Sequence, residues 1–155
     1  MKLRSIFLIF LIYVSVSCGK SVQELTPAQA VSGSFLSKTW DGIALGTRAY
    51  PINGKTITVQ IDPVSRDSVQ VKVISTQNDI YSPGDSAIYS KVYVKEINCT
   101  SCQYPRSYTL TLAPPTHPGT AENTIWFDPT SNAYYTYIPP GYTKGAVQTV
   151  FVKRY

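Results

Sequence analysis

The sequence has little of what metal sites and catalytic centres require. It contains one histidine and three cysteines, and charged residues make up only 15% of its 155 positions. Tetrahedral zinc takes four ligands, and His117 with the lone pair Cys99 and Cys102 does not supply them. Basic residues are scattered singly, which argues against nucleic-acid binding. No cofactor or catalytic motif stands out, so we expect no cofactor, no metal and no enzymatic activity.

The N-terminus has the plan of a secretory signal. Lys2 and Arg4 precede an apolar segment, residues 6–14, and residues 15–18 read Ser-Val-Ser-Cys. The apolar segment is shorter than the roughly 20 residues that a membrane-spanning helix needs. A basic start, an apolar centre and small residues before a cleavage site are typical of a signal peptide. We therefore expect residues 1–17 to be removed on export.

Residues 15–18 resemble the processing site of bacterial lipoproteins, in which a peptidase cuts before a cysteine that carries a diacylglycerol. The resemblance implies that Cys18 is lipidated and that residues 18–24 form a tether. Each buried methylene of an acyl chain contributes ~0.8 kcal/mol, so several chains hold a domain at a membrane. Gly19 follows the cysteine, and no acidic run comes after it. By the same resemblance, we expect an outer-membrane lipoprotein that faces the periplasm.

The interpretation of Cys99 and Cys102, which are separated by Thr100 and Ser101, also depends on export. Disulfides persist outside the cytosol, and a redox motif of this spacing would belong to a βαβ unit, for which the sequence gives no sign. We expect a small disulfide that closes a tight loop, with two free thiols as the alternative.

Beyond residue 25, the pattern is one of strands and turns. Thr26 and Pro27 predict a helix N-terminus before residues 28–31. Segment 68–74 alternates valine with polar residues, which indicates a half-buried strand, and residues 62–67 supply the turn of a hairpin. The predicted strands are 35–39, 43–50, 56–61, 68–74, 88–97, 107–112, 124–127, 133–138 and 147–153.

Residues 25–155 thus predict one all-β domain of about eight short antiparallel strands. Spacing alone fits either a single antiparallel barrel or a two-layer sandwich. The opening Val31-Ser32-Gly33-Ser34-Phe35 after a short helix resembles lipocalin-like lipoproteins of Bacteroidetes. Segments 124–127 and 150–153 resemble the closing strand pair of the same family. This resemblance implies an up-and-down β-barrel and little about the ligand.

Aromatic residues near the C-terminus are the candidate ligand contacts. On a strand over 133–138, Tyr135 and Tyr137 share one face, and one of the two faces is expected to pack inward. Cross-strand packing and a binding surface are both open interpretations. We expect a non-enzymatic envelope lipoprotein that binds a small apolar molecule or a glycan, with a protein-interaction module of an envelope assembly as the alternative. The candidate contacts are Trp126, Tyr135, Tyr137 and Tyr142.

Overall fold

The computed structural model describes residues 24–43, 45–75, 81, 86–103, 106–112, 123–128, 132–138 and 145–155. The signal segment, the tether up to residue 23, Cys18 and Tyr142 lie outside the described residues. In the described part of the chain, no helix is long and apolar enough to cross a membrane.

One short helix and nine strands make up the described chain. The helix is α1 (Pro27–Val31). The strands are β1 (Gly33–Gly42), β2 (Gly46–Ala49), β3 (Ile57–Pro63), β4 (Ser68–Ser75), β5 (Ala87–Asn98), β6 (Arg106–Thr111), β7 (Thr124–Phe127), β8 (Ala133–Tyr137) and β9 (Val147–Arg154). Every predicted strand is confirmed, although Ile43 and Leu45 lie in the turn between β1 and β2 rather than in a strand.

Eight of the strands close into an antiparallel barrel, and β2 is an extra strand beside it. The sheet order is β2-β1-β3-β4-β5-β6-β7-β8-β9, and β1 also pairs with β9. The structure therefore decides between the two predicted architectures in favour of the barrel. Neighbouring strands in the chain are neighbours in the sheet, except where β2 intervenes, so the topology is up-and-down.

Strand β1 closes the barrel because one of its edges pairs with β3 and the other pairs with β9. Residues Gly33 to Leu36 pair with β3, and Thr39 to Gly42 pair with β2. Its other edge pairs with β9, with a shift in register between Ser37 and Thr39. At this changeover the Ile57 amide donates to Ser37 Oγ at 2.9 Å, so the buried hydroxyl satisfies a backbone group that the ladder leaves unpaired.

Register shifts also change which residues of β1 and β5 face the core. In β1, Phe35 before the shift and Trp40 after it are both buried, although their separation in sequence is odd. In β5, the register with β4 shifts at Ser90 and Lys91, and both of these residues are exposed. A β-bulge adds one residue to a strand and bends it, which reverses the inward set beyond the bulge.

Helix α1 covers one end of the barrel, which we call the helix end. Thr26 caps the helix through a capping box with Gln29, as the sequence predicts. Ala28 and Val31 are fully buried, and the Ala28 amide donates to the Arg66 carbonyl in the β3–β4 turn at 3.2 Å. Strands β4, β6 and β8 end at the opposite end of the barrel, which we call the loop-rich end.

The barrel interior is filled by apolar and aromatic side chains. Phe35 and Phe127 meet edge to face, with ring centroids 5.6 Å apart, in the half nearest the helix. An eight-stranded barrel is just wide enough for its own side chains to fill. The largest fully buried side chains are Trp40, Tyr135, Tyr137, Phe35, Phe151, Ile57, Ile61, Leu110, Leu112, Ile125, Val31 and Val59.

Gly42 gives the first prediction, because a side chain there would collide with Trp40. A Cβ built on Gly42 overlaps the outer carbons of the Trp40 ring. We expect Gly42→Ala to lower the free energy of unfolding by about 1–3 kcal/mol, since overpacking a filled core forces side chains to shift. Urea denaturation of the wild type and variant measures the change.

The control for this prediction is the same substitution beside a smaller ring. In a Trp40→Phe background, Gly42→Ala should cost much less, because phenylalanine lacks the carbons that collide. An equal cost in both backgrounds would contradict the proposed packing role of Gly42.

Candidate functional site

In the structure, the side chains of Tyr135 and Tyr137 lie on the inner face of the barrel. Both are buried, and their ring centroids lie 5.3 Å apart. Their strand neighbours Tyr134 and Ile138 are only partly buried. This arrangement agrees with the prediction that one alternating set of β8 residues packs inward.

Trp126 lies on the other face of the wall. It packs against Tyr134 with ring centroids 5.1 Å apart, and the Tyr134 hydroxyl donates to Asp128 at 3.3 Å. The structure therefore does not bring Trp126 together with Tyr135 and Tyr137 in one site. The role of these residues as ligand contacts stays a prediction.

Hydrogen-bonding groups of the interior gather near the loop-rich end. Trp40 on β1 and Thr149 on β9 are cross-strand partners, and Thr149 also pairs with Tyr135. Burial raises the pKa of Tyr137, whereas hydrogen-bonding interactions with Thr149 and Trp40 act in the opposite direction. Burial first, and then Tyr89, raise the pKa of Tyr135. These hydroxyls therefore stay neutral across the physiological range, and the layer they form is polar but uncharged.

A groove of about 550 Å³ opens on the outer surface of β5 and β6. The bulge at Ser90 and Lys91 lies in its floor and bends β5 at this point. Two large apolar side chains stand exposed along it, Ile88 at 60% and Tyr93 at 65% of their full surface. Exposed aromatic residues beside a concave surface are a feature of binding sites rather than of packing.

The groove is also positively charged. The Lys91 ammonium lies 5.5 Å from the centre of the Tyr93 ring, and Lys95 lines the same groove. Lys72 on β4 is the cross-strand partner of Ile88 and adds a third cation beside it. Among the described residues that line the groove, none carries a carboxylate.

Hydroxyl groups complete the chemistry of the groove. Thr109 and Thr111 of β6 line it opposite β5. An aromatic ring offers an apolar face on which a sugar ring can lie, ammonium groups attract carboxylates, and hydroxyls donate and accept hydrogen bonds. The groove therefore has the chemistry to hold an anionic, hydroxyl-rich molecule.

Sequence reasoning missed Ile88, Tyr93 and the lysines of this groove. The available signal was a change of phase in β5, where the apolar residues Tyr89 and Val92 are separated by three positions instead of two. Such a break indicates a bulge. A bulge at this point places Tyr89 and Val92 on the inner face and leaves Ser90 and Lys91 exposed.

Charges at the helix end have a structural role. Arg106 bonds to Glu24 and to Glu96, at 2.8 Å in each case. The hydrogen bond to Glu24, followed by the one to Glu96, raises the pKa of Arg106. Because Glu24 precedes α1 and Arg106 begins β6, this pair holds the start of the described chain against the barrel.

The predicted disulfide between Cys99 and Cys102 is present, with Cα atoms 5.4 Å apart. It lies at the beginning of the connection between β5 and β6, at the helix end. In the chain-entropy description, a loop this short gives about 2 kcal/mol of stabilisation. The bond therefore restrains the loop more than it determines the fold.

Thiol labelling checks this bond. We expect Cys99 and Cys102 to stay unmodified by maleimide in the folded protein until a reductant is added, because disulfide sulfurs do not react with it. A Cys18→Ser variant removes the third thiol from the readout. Rapid labelling of both cysteines without reductant would contradict the bond.

The described residues contain no cluster of histidine, cysteine, aspartate or glutamate that could hold a metal ion. Comparison of the chain with models of protein families, with curated proteins and with solved structures finds no match. Inference about function therefore rests on the residues and geometry of this chain alone.

Proposed function

We propose that the protein is an envelope lipoprotein, held at the outer membrane by lipid on Cys18, and that its barrel binds an anionic glycan in the outer groove of β5 and β6. The observation that carries the binding proposal is the exposure of Tyr93 and Ile88 in a cationic groove on the outer wall of the barrel. The protein is proposed to act by binding, without catalysis.

The position of Glu24 supports a definite orientation for an anchored barrel. Glu24 bonds to Arg106 at the helix end, and six residue steps separate it from Cys18. A fully extended chain spans at most about 3.6 Å per residue, so this tether reaches about 20 Å. Lipid on Cys18 would keep the helix end near the bilayer and leave the side wall with the groove open to the periplasm.

Stacking and charge would act together on a glycan in the groove. A sugar ring lying on Tyr93 buries apolar C–H groups against the aromatic face. Lys91 and Lys95 would then pair with carboxylates of a uronic acid, and Thr109 and Thr111 would bond its hydroxyls. Because the groove is open to solvent, salt would screen the ionic part of the binding more than the stacking part.

A protein-interaction module is the second candidate, and the β1–β2 turn favours it. Ile43 is 84% exposed at the tip of this turn, and Leu45 beside it is also exposed. Two apolar side chains on a protruding turn could insert into a partner protein. Loss of partner capture on replacing Ile43, with glycan binding unchanged, would favour this candidate.

Replacement of the lipidated cysteine tests the anchor. We expect Cys18→Ser to move the protein from the membrane fraction to the released fraction, because the acyl chains supply the membrane affinity. Cell fractionation followed by immunoblotting measures the distribution, with Ser17→Ala as the matched control that retains the cysteine. Equal membrane retention of the wild type and the Cys18→Ser variant would refute lipid anchoring.

Replacement of the exposed tyrosine tests the groove. We expect Tyr93→Ala to weaken binding of polygalacturonate about fivefold to tenfold, which corresponds to ~1–1.4 kcal/mol of lost stacking. Isothermal titration calorimetry with dextran as the neutral polymer measures the contrast. Tyr155→Ala is the matched control, since Tyr155 is fully exposed and lies outside the groove.

The lysines provide a second arm of the same test. Lys91→Gln with Lys95→Gln should reduce binding of polygalacturonate and its dependence on salt. Lys38→Gln, which removes an exposed lysine on β1, should not. If wild-type protein binds neither polymer, or if the Tyr155 and Lys38 controls lose binding equally, the groove is not a glycan site.

A further inference from the structure

Three polar atoms in the barrel interior lie close enough for two of them to affect the pKa of the third, yet none makes a hydrogen bond of ordinary geometry among the described residues. They are Trp40 Nε1, Tyr137 Oη and Thr149 Oγ1. Their side chains are at most 1% exposed. A buried polar atom left without a partner costs about 1–3 kcal/mol, so three of them in one region of a folded protein call for an explanation.

The three groups lie close together in the half of the barrel nearest the loop-rich end. Trp40 and Thr149 are cross-strand partners on β1 and β9, and Tyr137 pairs with Val147, two residues before Thr149. Tyr137 is close enough for Thr149 and Trp40 to act on its hydroxyl. The group is a single cluster rather than three separate defects.

Neighbouring residues enclose the cluster on the side of the loop-rich end. The Tyr81 ring packs edge-on to Trp40 with centroids 5.0 Å apart, and the Tyr50 hydroxyl donates to the Tyr81 carbonyl. Arg48 stacks on the outer side of Tyr81, 5.5 Å from its centre. The cluster is therefore screened from solvent, and a molecule held there would exchange its oxygen contacts with water only slowly.

The donors determine what kind of group would satisfy the cluster. The indole of Trp40 can only donate, and the hydroxyls of Tyr137 and Thr149 can donate as well as accept. A cation would find no acceptor at the indole. A buried anion would need a positive charge beside it, and no lysine or arginine is among the buried described residues. A neutral oxygen can accept from the indole and from one of the two hydroxyls, and the other hydroxyl can bond to its neighbour.

We propose that the half of the barrel nearest the loop-rich end binds one neutral oxygen-bearing molecule, whose oxygen accepts one hydrogen bond from Trp40 Nε1 and a second from the hydroxyl of Tyr137 or Thr149. The oxygen belongs either to the hydroxyl or carbonyl of a small organic molecule or to a single internal water, since both present the same acceptor. This site is separate from the outer groove and does not depend on glycan binding there.

Isosteric substitutions test whether the oxygen is present. Thr149→Val and Tyr137→Phe each remove one hydroxyl with little change in shape. If the cluster holds an oxygen, each variant leaves it with a missing partner, and we expect the Tm to fall by about 3 °C or more. If the cluster is empty, removing an unsatisfied hydroxyl leaves the Tm unchanged or raises it, and this result would overturn the proposal.

Matched controls remove hydroxyls elsewhere on the same barrel. Thr58→Val, on the half-buried outer face of β3, and Tyr155→Phe, on the exposed C-terminal residue, should change the Tm by less than about 1 °C. Tyr93→Ala should not alter the effect of Thr149→Val, so failure of the glycan proposal would leave this test intact.

Two measurements on the wild-type protein identify the source of the oxygen. Native mass spectrometry of protein purified from its host would show a bound organic mass that the Thr149→Val variant lacks. Without such a mass, a high-resolution crystal structure would show one ordered water within about 3.2 Å of Trp40 Nε1 and of the hydroxyl of Tyr137 or Thr149. Either result supports the proposal, and a cluster with neither a bound mass nor a water would overturn it.

Discussion

Closure of the barrel through β1 is the constraint on which the rest of the structure depends. One edge of β1 bonds to β9, and the other is divided between β3 and β2, with Ser37 Oγ accepting the Ile57 amide where the partners change. Without the pairing of β1 with both β3 and β9, the eight-stranded sheet would end in two unpaired edges, each a row of unsatisfied backbone groups open to other chains. The shift in register at the same point turns Trp40 to the inward face that Phe35 also occupies, so the core contains both side chains although they are five residues apart.

A closed barrel of eight strands has consequences for where the protein can bind. Large rings occupy the half nearest α1, and the polar groups of Trp40, Tyr137 and Thr149 are confined to the half nearest the loops. Because large side chains occupy the half nearest α1, an interior site would lie in the other half and be small. A larger ligand would therefore contact the outer wall. The bulge in β5 provides such a place, because bending the strand exposes Tyr93 and lines a groove with lysines.

Prediction from sequence succeeded where the chain repeats a local pattern. Alternation in 68–74 gave β4, Thr26 and Pro27 gave the start of α1, and the C-x-x-C spacing gave the disulfide. It could not reach properties that depend on the register between two strands. The four aromatic candidates were grouped by their nearness in the chain, yet Trp126 lies on the opposite face of the wall from Tyr135 and Tyr137, because the β7–β8 register sets Tyr134 beside Trp126.

The sequence by itself determined the strand-and-turn character, the shared face of Tyr135 and Tyr137 on β8 and the expectation of an exported, lipid-bearing N-terminus. Those properties follow from the two-residue period of a strand and from local signals that need no partner. Only the tertiary structure decided between barrel and sandwich, placed the groove at Ser90 and Lys91, and brought Trp40, Tyr137 and Thr149 together. Each of these depends on strand register, and register is set by hydrogen bonds between segments that are distant in the chain, which a pattern along one strand does not contain.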